Sequence, residues 1–261
     1  MSNPVDYKVD RGVAVLMIDR PESMNALNWS AQVQFSAAVE NAAVDPSLRV
    51  LIITASGDKA FVAGGDLKEL ADHPSEADAE RLNRVMGAAL DKLTQLPLPV
   101  ICAVNGDAIG GGCEIVTACD LRLAAEHVRF RFAQVHLGLT TGWGGAARLV
   151  HLLGASQAME LLLTGRAIDA KEALKMGLVH RSVKRGEVQT EALSWAEELR
   201  ALPREALAAL KRQIWQAANL SLPALYQLEK ESFVGLWPSA DHLEAMAAFK
   251  GKRRPGFGER R

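Results

Sequence analysis

Two glycine-rich turns hold the residues whose types and spacing suit chemistry. Residues 99–118 (PVICAVNGDAIGGGCEIVTA) read as a buried strand over Val100–Val104, a turn, three consecutive glycines (Gly110, Gly111, Gly112) and a helix that opens with Glu114. Glycine lets a bound group approach the main chain to hydrogen-bond distance. The first turn of a helix adds N–H groups that have no intrahelical acceptor. An oxygen that gains negative charge during a reaction is stabilised by such donors, as in an oxyanion hole. Glu114, three residues past Gly111, sets a proton-transfer group beside that hole. The same residues also fit a tight strand-to-helix turn with a solvated glutamate.

A second stretch repeats the arrangement. Residues 50–55 (VLIITA) read as a buried strand, followed by a turn at 56–58 and then residues 61–69 (FVAGGDLKE), with Asp66 as a candidate helix cap. Each stretch supplies one backbone donor, and an oxyanion hole usually needs two from separate segments. Neither is a phosphate loop, because no Gly-Lys-Ser/Thr follows and no GxGxxG opens a helix.

Together with residues 19–28 (DRPESMNALN) and 104–120, these segments resemble the enoyl-CoA hydratase/isomerase (crotonase) superfamily in order and spacing. The likeness continues through 132–149, 161–179 and 249–254, and so covers nearly the whole chain. It implies an α/β fold: a crotonase-like spiral core of ββα units over residues 1–190 that carries an acyl-CoA site. A helical trimerisation region over 191–261 would follow, giving a homotrimer or a hexamer. By the same resemblance, the amides of Gly65 and Gly111 bind the thioester carbonyl oxygen, and Glu114 is the general base that activates water. Backbone around Asn25 and Ala26, and from Ala63 through Gly65, Asp66 and Leu67 to Lys68, would bracket the CoA adenine, with Lys68 near the phosphates. Phe249 and Lys252 would reach the CoA of a neighbouring subunit. Trp143 is a candidate wall of the acyl pocket or a packing aromatic. Coenzyme A is then part of the substrate, and no separate cofactor or metal is expected.

One position departs from the family pattern. Counting back from Gly138, the second family glutamate falls on Gln134. A glutamine orients a water but cannot deliver a proton at neutral pH. Syn hydration needs a base for water and a proton for Cα. Either Glu114 does both through one water or another acid substitutes. His136, two residues on, would face the same side of a strand as Gln134. Enoyl-CoA hydratase, in fatty acid metabolism, is the main expectation. Decarboxylation of a malonyl-type acyl-CoA, isomerisation of an enoyl-CoA, and a non-catalytic binding or scaffold role stay open.

Composition and periodicity agree with a large globular unit. The chain has 261 residues, 49% hydrophobic and 23% charged, as in ordinary globular proteins. A net charge of −1 gives no reason to expect nucleic acid or a membrane surface as partner. The tail residues Lys250, Lys252, Arg253, Arg254, Arg260 and Arg261 make a locally basic end that suits an anionic ligand. Cys102, Cys113 and Cys119 sit in apolar runs without metal spacing, and read as reduced core residues of a cytoplasmic protein. The first ten residues have neither the basic nor the apolar region of a signal peptide. No run approaches the roughly 20 apolar residues of a membrane helix. Strands are expected at Val13–Ile18 and 50–54, and helices at 30–43 and 77–96, where Leu82, Val85, Met86, Ala89 and Leu93 recur at helical spacing. From about Thr190 the pattern is helix after helix, punctuated by Pro203, Pro223 and Pro238, and no internal repeat is visible.

Overall fold

Apolar, β-branched runs too short for helices form the strands of the computed structural model, which describes residues 3–257. One sheet holds β1 (Val5–Asp10), β2 (Val13–Ile18), β3 (Val50–Ala55), β5 (Val100–Val104), β7 (Leu121–Ala125) and β10 (Arg181–Val183), in the order β1-β2-β3-β5-β7-β10. Only β1–β2 is antiparallel among these described pairs. Every residue of β3 and β5 is buried, as parallel strands covered on both faces require. A second sheet holds β4 (Ala60–Val62), β6 (Asp107–Ile109), β8 (Arg129–Arg131) and β9 (Ala167–Asp169) in that order, the first three parallel.

The helices are α1 (Trp29–Val44), α2 (Leu67–Leu70), α3 (Glu76–Gln95), α4 (Gly111–Ala118), α5 (Gly145–Leu153), α6 (Ala155–Thr164) and α7 (Ala170–Met176), then α8 (Val188–Arg200), α9 (Arg204–Gln216), α10 (Leu222–Leu236) and α11 (Ala240–Lys250). α8 buries Val188, Ala192 and Ala196 against β3, β5 and β7. α9 is tied down by a buried cation. Lys211 Nζ donates to the Leu93 and Leu98 carbonyls at 2.8 and 3.0 Å and pairs with Asp120 at 2.7 Å. Burial pushes that amine down, and Asp120 opposes the shift.

A unit recurs three times although the residues show no repeat. A strand in the first sheet leads to a three-residue strand in the second and then to a helix or turn: β3-β4-α2, β5-β6-α4, and β7-β8 followed by the 3-10 turn Ala133–Leu137. The C-terminal ends of β4, β6 and β8 therefore lie side by side, about 4.8 Å apart per strand. In α/β folds this edge is where ligands bind.

α4 begins at Gly111, three residues before the expected start, and all eight of its residues are buried. A helix apolar on all sides belongs in the interior. It lies so close to β4 that a Cβ on Gly112 would fall 2.0 Å from the Val62 carbonyl oxygen. Only glycine fits there.

The loop over residues 19–28 is fixed by one side chain. Asn25 is buried, with φ +54° beside Met24 at +55°. Its Nδ2 donates to the Ser56 and Ala60 carbonyls at 3.0 and 2.7 Å, and its Oδ1 accepts from the Arg20 amide at 2.9 Å. Asn25→Ala removes these bonds and places alanine in the left-handed region. The expected loss is about 2–4 kcal/mol, read from the urea midpoint; a shift equivalent to less than about 0.5 kcal/mol would mean that other contacts hold the loop.

Candidate active site

The adjoining ends of β4, β6 and β8 border a cavity of about 340 Å³. Its walls include Gly65, Gly111, Glu114, Arg131, Gln134, His136 and Trp143 among apolar side chains such as Leu70, Leu82 and Leu139. The two glycine-rich turns meet here. A Cβ on Gly64 would lie 3.1 Å from the Gly111 nitrogen, so the two segments are in contact. Among the described residues, neither the Gly65 nor the Gly111 amide has an internal acceptor. Two free N–H groups from separate loops thus border one cavity, as an oxyanion hole requires.

Trp143 is a packed aromatic that also borders the cavity. It is buried, and its indole lies against Gly111, where a Cβ would come within 2.1 Å of the ring. Its carbonyl accepts from Arg148, whose guanidinium also reaches Asp91 at 3.1 Å. Burial pushes the Arg148 pKa down, and the Asp91 and Glu114 carboxylates oppose that.

Glu114 is 2% exposed, and its carboxylate accepts four hydrogen bonds. Oε2 takes the amides of Trp143 at 2.7 Å and Gly145 at 2.9 Å. Oε1 takes the Gly142 amide at 3.2 Å and Gln134 Nε2 at 3.0 Å. The negative charge sits at the N-terminus of α5, where the helix dipole favours it. Because the carboxylate can only accept, it fixes the Gln134 amide with nitrogen inward. Gln134 Oε1 is left buried without a partner. Oε1 therefore has the longer bonds and lies on the side of the vacant acceptor.

His136 does not stand where a strand would have put it. Residues 133–137 form a 3-10 turn, so the two-residue alternation does not apply. Its Nε2 faces the Gly165 carbonyl at 3.3 Å, although the residue still borders the cavity.

A neighbouring cavity of about 330 Å³ is lined by Ala26, Ala63, Gly65, Asp66, Leu67 and Lys68 along with Met24. Ala63, Gly65 and Leu67 border both cavities, so one elongated ligand can occupy the two. Asn25, expected beside the CoA, is buried and does not line this cavity; its side chain holds the loop that carries Met24 and Ala26. Asp66 caps α2 through the Lys68 amide at 3.3 Å and pairs with Arg20 at 3.0 Å. Lys68 has no ion-pair partner among the described residues. Phe249, 80% exposed, and Lys252, with φ +49°, border neither cavity. Arg253 is held by Glu244 at 2.9 Å, while Arg260 and Arg261 lie outside the described residues. All three cysteines are buried and free, and burial pushes the Cys113 thiol up.

Sequence reading missed the amides of Gly142 and Gly145 and the side chain of Arg131. The glycine density of residues 142–145 was the available signal, because it marks another close backbone approach. A Cβ on Gly145 would fall 2.5 Å from Glu114 Cγ. Gly145→Ala is expected to displace the carboxylate and free one of its amide donors. Hydrogen exchange at Trp143 and at position 145 should then quicken by about tenfold or more, the response to losing roughly 1.4 kcal/mol of local protection; unchanged exchange would mean that the loop is held independently of Glu114.

The comparisons with known proteins agree with one another. A family model described as enoyl-CoA hydratase/isomerase matches residues 8–260. The chain is 36% identical over 245 residues to the crotonyl-CoA hydratase of Syntrophomonas wolfei, covering 94% of each. It is 34% identical over 259 residues to the short-chain-enoyl-CoA hydratase of Clostridium acetobutylicum, covering 99% of each. The crystal structure of enoyl-CoA hydratase from Bacillus anthracis superposes with a TM-score of 0.94 at 32% identity, covering 98% of this chain and 100% of that one.

Proposed function

The chain belongs to the enoyl-CoA hydratase/isomerase family, and on that basis we propose that it catalyses syn addition of water to a 2-enoyl-CoA. The observation that carries this reading is the Glu114–Gln134 pair. A held carboxylate and a buried acceptor without a partner stand together in the cavity that also holds the Gly65 and Gly111 amides.

In this reading, the CoA portion takes the cavity beside Lys68 and the acyl group takes the cavity beside Glu114. The thioester oxygen lies at the two glycine amides. Attack at Cβ moves charge onto that oxygen as an enolate, which the two N–H donors stabilise by ~3–4 kcal/mol each. The attacking water donates one hydrogen to Glu114 Oε1 and the other to Gln134 Oε1, which fixes its orientation. Glu114 takes the first proton as the new C–O bond forms. It then returns that proton to Cα on the same face, and ends as the carboxylate. One carboxylate thus closes the proton balance, and coenzyme A enters only as part of the substrate.

Glu114→Gln is expected to lower hydration by ~100-fold or more, followed as loss of enoyl absorbance with crotonyl-CoA. Gln134→Glu puts a second carboxyl within hydrogen-bond distance of the first, so the pair holds a shared proton. Water addition should then rise by about tenfold or more, with a new decline at alkaline pH as that proton is lost. An active Glu114→Gln enzyme would overturn the role given to this site.

We also propose assembly as a homotrimer or hexamer through the C-terminal helices, in the cytoplasm, where three reduced cysteines are at home. The segment from α9 to α11 exposes the large apolar side chains Leu210, Ile214, Tyr226, Phe233, Trp237 and Phe249, the kind of surface that partner chains cover. Among the described residues, no helix is long and apolar enough to cross a membrane. Sedimentation should give three or six times the chain mass of 28.2 kDa. A stable monomer at micromolar concentration would leave Lys252 without a neighbouring CoA to contact.

A further inference from the structure

We propose that the acyl end of the cavity is built for a chain carrying a carboxylate, held by Arg131; this rests on the acyl-CoA reading above. Arg131 is the last residue of β8, and its carbonyl accepts from the Gly110 amide at 2.8 Å. Its backbone thus braces the donor loop, and its side chain borders the same cavity as Glu114. The guanidinium is clamped on one side only. Nε donates to the Gly165 carbonyl at 2.9 Å. Among the described residues, neither terminal NH₂ group has a hydrogen-bond or ion-pair partner. A guanidinium held at Nε presents those two groups as a planar fork, the geometry that accepts a carboxylate through two bonds.

Strand order gives the direction. Lys68 belongs to α2, the short helix that follows β4, Gly65 and Gly111 follow β4 and β6, and Arg131 ends β8. A thioester whose CoA lies on the β4 side points its acyl chain towards β8, two strand spacings or ~10 Å away. The CoA phosphates are therefore remote from Arg131.

The surroundings favour a negative chain end. Arg131 itself is exposed, so water reaches its two free groups, whereas Leu70, Leu82 and Leu139 line the same cavity; a methyl-ended chain beside the guanidinium would displace some of that water and offer no partner in its place. The cavity's only carboxylate among the described residues is Glu114, already engaged by four donors. A substrate carboxylate supplies the missing partner.

Binding separates this proposal from the reaction itself. Two saturated five-carbon acyl-CoA thioesters serve as probes, one ending in a carboxylate and one in a methyl group. Isothermal titration of the wild-type protein should favour the carboxylate by ~10- to 100-fold, the size of a charge-assisted hydrogen bond. In Arg131→Met that preference should collapse to near unity, and Arg131→Lys should restore part of it. Equal wild-type affinities, or a preference that survives Arg131→Met, would overturn the proposal. The corresponding 2-enoyl thioesters, tested for water addition, report on the hydratase reading alone. Binding preference without hydration of either chain would overturn that reading and leave the carboxylate pocket standing.

Discussion

A carboxylate cannot leave water unless other donors replace it, and the interior penalty of several kcal/mol per ion makes this a strict condition. Glu114 meets the condition with donors from two directions. Gln134 comes from the turn after β8, and the amides of residues 142, 143 and 145 come from the loop that opens α5. The loop must fold around the carboxylate to deliver three N–H groups, and that folding aims the positive end of α5 at the charge. Trp143 is pinned through its amide by Glu114 and through its carbonyl by Arg148, which sets the indole against Gly111. The wall of the cavity, the donor loop and the charged group thus hold one another in place.

Much of this was legible in the residues because it depends on short-range rules. A glycine run between an apolar strand and a helix marks close backbone approach, and Asp66 two residues before Lys68 marks a helix start. Apolar runs at β3 and β5 mark strands covered on both faces. The recurrence of the ββα unit came only through family resemblance. Second-sheet strands of three residues are too short to carry a period, so β4, β6 and β8 leave no alternation to read. The turn around Gln134 and His136 was read at strand spacing for the same reason.

Arg131 was invisible for a different cause. Among the described residues, the one hydrogen-bond partner of its side chain, the Gly165 carbonyl, lies 34 residues along the chain. Whether an arginine at a strand end is solvated, paired or left with a free fork is decided by tertiary packing, and no local pattern encodes that. Gly142 and Gly145 fall between these cases. Their density was visible, but the carboxylate that accepts from them, Glu114, lies 28 and 31 residues earlier.

The three recurring units divide the site between two kinds of inheritance. The free donors after β4 and β6, at Gly65 and Gly111, are main-chain groups. A codon change at Gly65 or Gly111 can obstruct them but cannot substitute one donor chemistry for another. At the end of β8 the contributors are the side chains of Arg131 and Gln134, each replaceable by one mutation that leaves the strand intact. In the proposed reaction, activation of the carbonyl is therefore tied to the backbone path, while the fate of the activated intermediate depends on side chains, Glu114 on α4 and Gln134 in the turn after β8. A lineage built on this fold can exchange one reaction for another without rebuilding its means of polarising the substrate.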